Sequence, residues 1–132
     1  MRPDIMEGIL NHKHSIGGLE NIKLLEIEPG HSKLEVPVVP ESLNIYGNAH
    51  GGFLFTLCDI ASGMAAYAYE VANVTQTSSI QFLKGISTGK IYVEANAVHK
   101  GRNTAVFQVE IRDEKDTLLV TATFTMFLMA PL

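Results

Sequence analysis

The sequence is poor in cysteine and in positive charge, and each scarcity excludes a class of protein. Its one cysteine in 132 residues, Cys58, excludes an internal disulfide and a zinc site built on paired cysteines. Ten lysines and arginines stand against 14 acidic residues, so the formal net charge is −4. Because nonspecific nucleic-acid binding needs a basic surface, we expect no nucleic-acid partner. The first residues lack a basic stretch followed by an apolar run, so we expect no export signal and a cytoplasmic, reducing location.

Composition and length are those of one globular domain. Hydrophobic residues make up 46% of the sequence and charged residues 18%, which is ordinary for a folded chain. We predict a single domain over residues 1–132, with residues 1–18 as an extension that holds a short amphipathic helix from Asp4 to Leu10. The segment from Gly51 to Tyr69 is nearly long enough to span a bilayer, but it holds Asp59 and many small residues. We therefore expect it to be buried in protein, with no membrane partner.

Hydrophobic periodicity predicts one long helix among six strands. The helix from His50 to Glu70 is apolar nearly all round, which indicates that it is buried. Alternating segments bounded by turn residues predict strands at Leu19–Ile27, His31–Val38, Val74–Leu83, Lys90–Lys100, Asn103–Arg112 and Leu118–Leu128. The order β-β-α-β-β-β-β predicts an α+β fold, in which a curved antiparallel sheet wraps one central helix.

Two features of the predicted helix suggest chemistry. Asp59 is a carboxylate in its otherwise apolar middle, and a buried carboxylate without a partner is costly. Gly51 and Gly52 lie in its first turn, where unpaired N–H groups and the helix dipole attract negative charge. Each feature also has a plain explanation: Asp59 can face a subunit interface, and the glycines can relieve crowding where the helix meets the sheet. Together they match the electrostatic needs of acyl transfer.

One copy of the helix cannot bring these two features together. At 1.5 Å per residue, Gly51 and Asp59 are about 12 Å apart along the axis. A catalytic carboxylate and an oxyanion donor must both reach one carbonyl at about 3 Å. Two antiparallel copies of the helix in a C₂ dimer would pair Asp59 of one chain with Gly51 of the other. If these residues form an active site, we therefore expect at least a dimer.

The segment from Asn44 to Asp59 resembles the signature of the hot-dog-fold acyl-CoA thioesterases, and most closely their phenylacetate-degradation (PaaI-type) branch. It contains an asparagine, then His50-Gly51-Gly52, then the aspartate at the spacing of that family. The predicted order of elements is also similar. Residues 74–75, 80–84 and 99–104 resemble the strands and the hairpin that follow the helix in the family. The resemblance covers nearly the whole chain beyond about residue 15.

The resemblance implies a role for each residue of the motif. Asp59 corresponds to the catalytic carboxylate, which acts either as a general base on water or as a nucleophile on the thioester. The N–H of Gly51 corresponds to the oxyanion donor, and Asn44 to a side chain that holds the nucleophile or the thioester. Thr75 lies where the family often has a hydroxyl that orients the water. His50 corresponds to a histidine that positions the helix entry.

The resemblance also implies the partners of the protein. The expected substrate is an acyl-CoA thioester, so coenzyme A enters as part of the substrate, with no separate cofactor and no metal. The expected assembly is a homodimer, or a dimer of dimers. The predicted substrate-binding residues flank the helix start and two later turns: Gly52, Phe53, Lys84, Lys100, Gly101 and Arg102. The three cationic ones suit coenzyme A phosphates, although solvated turn charges are an equal alternative.

Other functions of the same fold fit the sequence less well. The similar dehydratases place an acid about 14 residues after the helix-entry histidine, and here that position holds Met64. A sensor that binds acyl-CoA and DNA would need a helical DNA-binding segment, for which the residues before the first strand are too few. A domain that only binds acyl-CoA would not need Asp59. Aryl and medium-chain acyl groups remain equally compatible with the pattern.

The remaining polar residues carry weaker signals. We expect His12, His14 and His31 at the surface and not in a metal site. Cys58 is next to Asp59, and we expect it to pack in the core. Ser62 lies one turn after Asp59, where it can either hydrogen-bond the carboxylate or pack in the core, and we favour packing.

Overall fold

The computed structural model describes residues 1–11 and 15–132, in which two α-helices and six strands are formed. The helices are α1 (Pro3–Asn11) and α2 (Gly51–Tyr67), and the strands are β1 (Lys23–Glu28), β2 (His31–Pro37), β3 (Val71–Phe82), β4 (Lys90–Lys100), β5 (Thr104–Asp113) and β6 (Leu118–Pro131). All six strands form one antiparallel sheet in the order β1-β2-β4-β5-β6-β3. The predicted α+β architecture is confirmed.

Helix α2 lies against the inner face of the sheet and contacts all six strands, so the sheet must curve around it. Strands β2 and β5 alternate between buried and half-buried positions over most of their length, and β4 does so over residues 91–95, as expected when one face meets the helix. The largest fully buried side chains are Phe53, Phe107 and Phe124. Burial of this apolar surface, at about 25 cal/mol per Å², drives the helix onto the sheet.

The first predicted strand is too long. Residues 19–21 form a short 3₁₀ helix, and β1 begins only at Lys23. Gly18 explains the difference, because it has φ 99°, in the left-handed region that favours glycine. A Cβ at Gly18 would lie 2.9 Å from the side chain of Val39. The chain therefore turns sharply here, and Leu19 packs against the core from that turn.

Both predicted helices differ at their ends from the observed ones. Helix α2 ends at Tyr67, not at Glu70, because Glu70 has φ 64° and cannot continue a right-handed helix. Helix α1 extends from Pro3 to Asn11, slightly beyond the prediction, and none of its residues is buried. Among the described residues, no helix combines the length and the apolar character that crossing a membrane requires.

The two edges of the sheet differ in length. Strand β1 has six residues, whereas β3 has 12. Strand β3 pairs only with β6 in the described chain, and residues 74–79 along it are exposed. A long open edge presents unpaired N–H and C=O groups to any other strand. Strand β3 is therefore the side of the molecule best suited to pair with another chain.

Candidate active site

His50 fixes the start of helix α2. Its Nδ1 accepts the N–H of Gly52 at 3.0 Å, and its backbone is extended, as is usual for an N-cap residue. This contact lies at the helix entry, where the resemblance implies a positioning histidine. It also occupies the Gly52 N–H, so the prediction that Gly52 contacts substrate gains no support from that group. Gly51, the first residue of the helix, follows the cap directly, and its N–H is one of the first-turn groups without a partner inside the helix.

The N-terminal end of helix α2, at Gly51, lines a groove of about 290 Å³. Asn44, Phe82 and Lys84 line this groove together with Gly51. A Cβ at Gly51 would lie 3.4 Å from Cζ of Phe82, which is an ordinary van der Waals contact. The groove therefore brings the predicted oxyanion donor, Asn44 and one predicted cation to one place.

Asn44 also shapes the loop that precedes the helix. Its Oδ1 accepts the N–H groups of Tyr46 at 2.9 Å and Asn48 at 3.1 Å. These bonds fold the loop back on itself in the manner of an Asx turn. Within residues 1–11 and 15–132, the Asn44 side-chain NH₂ makes no hydrogen bond, so both of its donors are available to a ligand in the groove.

Asp59 meets Thr75 in the middle of α2. The Thr75 hydroxyl of β3 donates a hydrogen bond to Oδ1 of the half-buried Asp59 carboxylate. The register of β3 relative to β6 shifts between Thr75 and Thr77. Thr75 pairs with Met126, which is buried on the helix side of the sheet, whereas Thr77 pairs with Thr125, which is on the opposite side. The register shift turns Thr75 toward the helix. The structure thus brings together two of the predicted catalytic residues.

The residue before Asp59 is the buried Cys58, whose side chain is 0% exposed. Burial, and then the charge of Asp59, raise the pKa of this thiol to about 12. The thiolate needed for nucleophilic chemistry is therefore rare near neutral pH. Cys58 belongs to the core, as the sequence predicts.

The other predicted substrate-binding residues are dispersed. Phe53 is fully buried and packs toward Gly18, so its side chain contacts the core and not the groove. The ammonium of Lys100 lies 5.0 Å from the ring centroid of Tyr69, a cation–π contact at the far end of the helix. The N–H of Gly101 donates to Thr104 O at 2.7 Å and closes the β4–β5 turn.

Within one chain, the β4–β5 turn and the groove lie at opposite ends of the sheet. The N–H of Lys84 donates to Leu119 O at the start of β6, at 3.2 Å. Asn103 O, beside the exposed Arg102, accepts from the N–H of Leu128 near the end of β6, at 2.7 Å. At about 3.3 Å per strand residue, these two places are about 30 Å apart. Lys84 therefore lies far from Lys100 and Arg102, the cations of the β4–β5 turn, within a single chain.

The histidines show one departure from the sequence prediction. His31, expected at the surface, has only 16% of its side chain exposed. It lies on the outer face of the sheet, 2.8 Å from Glu26 and 2.7 Å from Asn96. The hydrogen bond with Glu26 raises the pKa of His31 and lowers the pKa of Glu26.

The same face carries the candidate ligands for a metal. Among the described residues, Glu26, His31 and Glu94 offer three potential metal-ligand atoms within 4.8 Å of one another. On this face, away from α2, His31 is hydrogen-bonded to Glu26 and lies 3.9 Å from the carboxylate of Glu94. His12 and His14 fall outside the described residues.

Comparison with known proteins identifies the family. A family model described as the thioesterase superfamily matches residues 46–120. The chain belongs to the thioesterase superfamily. It is 28% identical over 95 residues to the acyl-coenzyme A thioesterase PaaI of Escherichia coli, covering 71% of this chain and 68% of the relative.

Solved structures of thioesterases show the same fold. A hypothetical thioesterase from Streptococcus pneumoniae, solved with coenzyme A, matches with a TM-score of 0.87 and 39% identity, over 89% of this chain and 96% of that one. A protein from Streptococcus mutans bound to acetyl CoA matches with a TM-score of 0.83 and 38% identity, over 92% and 98%. The predicted hot-dog fold and PaaI-type resemblance are confirmed, and the chain is a thioester hydrolase.

The structure adds one groove residue that the sequence reasoning missed. Phe82 ends β3 and places its ring over Gly51. The sequence offers one sign of it: Phe82 is an apolar residue two positions before Lys84, within the segment 80–84 that resembles the family. An aromatic ring at this position gives the thioesterase groove an apolar wall beside its polar donors.

The contact between Thr75 and Asp59 gives a first testable expectation. Thr75→Val keeps the β-branched shape and removes the hydroxyl that donates to the carboxylate. We expect kcat for acyl-CoA hydrolysis to fall about tenfold, the effect of losing one hydrogen bond to a charged group. The control is Thr77→Val, whose side chain faces away from the helix, and it should keep wild-type kcat. Equal kcat in the two folded variants would remove Thr75 from the site.

Proposed function

We propose that the protein hydrolyses acyl-CoA thioesters at a site shared by two copies of the chain. The observation that carries this proposal is that the predicted catalytic residues fall into two groups, at two different places along helix α2. Asp59 and Thr75 meet at the middle of α2, whereas Gly51 and Asn44 meet at its start. The two groups are about 12 Å apart along the axis, so neither is complete without a second chain.

The open edge of β3 supports a particular way to join two chains. If β3 pairs with its own copy in antiparallel fashion around a two-fold axis, the two sheets become one sheet of 12 strands. The Val71 end of one β3 then lies beside the Phe82 end of the other. Because α2 lies across the same sheet, the two helices also run antiparallel. Asp59 of one chain then approaches Gly51 of the partner subunit.

The same pairing suits the scattered cations. The β4–β5 turn, with Lys100 and Arg102, lies at the end of the sheet where β3 begins, whereas Lys84 lies where β3 ends. Antiparallel pairing of β3 brings these two ends together across the dimer. A site between the chains therefore gains cations from both, which suits the phosphates of coenzyme A.

The reaction follows from the charges that the two groups supply. The N–H of Gly51 and the dipole of its helix stabilise the oxyanion that develops when the thioester carbonyl is attacked. Asp59 of the other chain acts as a general base on water or as the nucleophile itself, and Thr75 fixes the orientation of its carboxylate. The coenzyme A thiolate leaves, and water supplies the oxygen of the product carboxylate.

The substrate class is an aryl or medium-chain acyl-CoA. The Streptococcus pneumoniae and Streptococcus mutans relatives are described with coenzyme A and acetyl CoA, which supports the coenzyme A half. Phe82 and Leu54 give the groove apolar walls, which suit an uncharged acyl group. Octanoyl-CoA and benzoyl-CoA are therefore the first substrates to assay, by release of the free coenzyme A thiol.

Mixing two inactive variants tests the shared site. Asp59→Asn and Gly51→Pro each damage one group, and we expect each homodimer to be nearly inactive. In a dimer that contains one chain of each kind, one site carries both lesions and the other carries neither. After refolding the variants together, we expect about a quarter of wild-type activity, because about half of randomly assorted dimers are mixed and each has one intact site.

The control is the same mixture before refolding, in which the chains have not exchanged. Native mass spectrometry of differently tagged variants measures how many mixed dimers form. If mixed dimers form but activity stays at the average of the two variants, the site lies within one chain and the shared arrangement is wrong.

A further inference from the structure

One buried hydroxyl is not explained by the fold. Ser62 is 0% exposed, and its Oγ has no hydrogen-bond partner in the described parts of the chain. The other two buried serines are both satisfied: Ser32 donates to Ala61 O at 2.6 Å, and Ser42 donates to Val39 O at 2.7 Å. Leaving a buried hydroxyl unpaired costs about 1–3 kcal/mol, so such a group requires an explanation.

The position of Ser62 points to Asp59. The two residues are three apart on α2, so their Cβ atoms are about 5–6 Å from each other. Helical side chains tilt toward the N-terminus of their helix, which leans the Ser62 hydroxyl toward the turn that holds Asp59. A serine inside a helix usually donates back to a carbonyl of the preceding turn. Ser62 makes no such bond.

The Asp59 carboxylate has room for a second donor. Within the described ranges, the hydroxyl of Thr75 on Oδ1 is the one hydrogen bond that reaches it. A carboxylate has two oxygens and accepts about four hydrogen bonds. An unpaired buried donor and an under-used carboxylate thus lie one helical turn apart.

We propose that Ser62 is a positioning residue for Asp59. Its hydroxyl donates to the carboxylate, either directly after rotation about χ1 or through one buried water. With Thr75, it holds the carboxylate in the orientation that the reaction requires, whether Asp59 acts as general base or as nucleophile. This inference rests on the proposed function, in which Asp59 is catalytic.

The test is Ser62→Ala, assayed with octanoyl-CoA and benzoyl-CoA. We expect kcat to fall about tenfold with KM unchanged, the effect of losing one hydrogen bond to a charged group. The variant should fold, because alanine is a better helix former than serine and is smaller, so it adds no crowding in the core. The higher helix propensity of alanine partly offsets the lost hydrogen bond, so we expect only a small change in Tm.

Ser32→Ala is the matched control. It also removes a buried serine hydroxyl that contacts α2, but that hydroxyl bonds to a backbone carbonyl. We expect it to lower Tm and to leave kcat unchanged. Ser62→Thr keeps the hydroxyl, and it should restore kcat to near its wild-type value with KM unchanged.

Two outcomes would overturn the inference. A folded Ser62→Ala variant with wild-type kcat would show that Ser62 only packs. Asp59→Asn, assayed in parallel, separates this failure from that of the proposed function. An inactive Asp59→Asn beside a fully active Ser62→Ala overturns the role of Ser62 alone, whereas an active Asp59→Asn overturns both.

Discussion

Replacing Asp59 by asparagine should lower kcat at least about 100-fold and leave the fold intact. Asparagine keeps the shape of the side chain and still accepts the hydroxyl of Thr75, but it is neither a base nor a nucleophile. Loss of such a group typically costs at least this factor. Asp59 is half-buried and has one hydrogen bond to the described residues, so we expect Tm to change by only a few degrees.

The measurement is steady-state hydrolysis of acyl-CoA, with the free thiol as the signal. Mass spectrometry of the purified variant checks that the asparagine has not deamidated back to aspartate. Glu70→Gln is the control, because it removes one negative charge just beyond the same helix from an exposed position. A folded Asp59→Asn variant with wild-type turnover would remove this carboxylate from the mechanism.

Replacing Gly51 by proline should lower kcat about 100-fold, with a smaller effect on stability. Proline deletes the N–H that we assign to the oxyanion, and the loss of one such donor costs about 3 kcal/mol in the barrier. Proline is well tolerated at the first residue of a helix. The preceding residue, His50, already has the extended backbone, with ψ 138°, that a residue before proline requires.

Gly51→Ala is the matched variant, because it adds a side-chain carbon and keeps the N–H. The new Cβ would lie 3.4 Å from the ring of Phe82, an ordinary contact, so we expect alanine to retain most of the activity. Similar losses in Gly51→Ala and Gly51→Pro would mean that space, and not the N–H, is what the glycine provides.

The sequence predicts the strands and the central helix well because their signals are local. Period-two alternation identifies the pairing segments of β4, β5 and β6, and the turns between them are short. The chain before β1 follows a different rule. Leu19 is apolar and lies next to the strand, but the left-handed Gly18 sets the direction of the chain, and that depends on the tight approach of Val39. The alternation of apolar and polar residues along the chain contains no information about such a tertiary contact.

The site is predictable in its chemistry and less so in its geometry. The Asn44, His-Gly-Gly and Asp59 pattern identifies the two groups of residues, and the helical rise alone shows that they cannot meet in one chain. The sequence does not reveal that His50 accepts a hydrogen bond from the Gly52 N–H, since that depends on the rotamer of one side chain. It does not place Phe82 over Gly51 either, because that contact depends on where a strand 30 residues later ends.

The buried cysteine has a practical consequence for measuring this enzyme. Reagents that detect the released coenzyme A react with thiolates, and Cys58 is both inaccessible and almost entirely protonated near neutral pH. The folded protein should therefore add no background to the assay. Once the sample is denatured, each chain contributes one thiol, so the same reagent counts the enzyme molecules. In native buffer, the rate at which Cys58 is labelled would measure how often helix α2 opens.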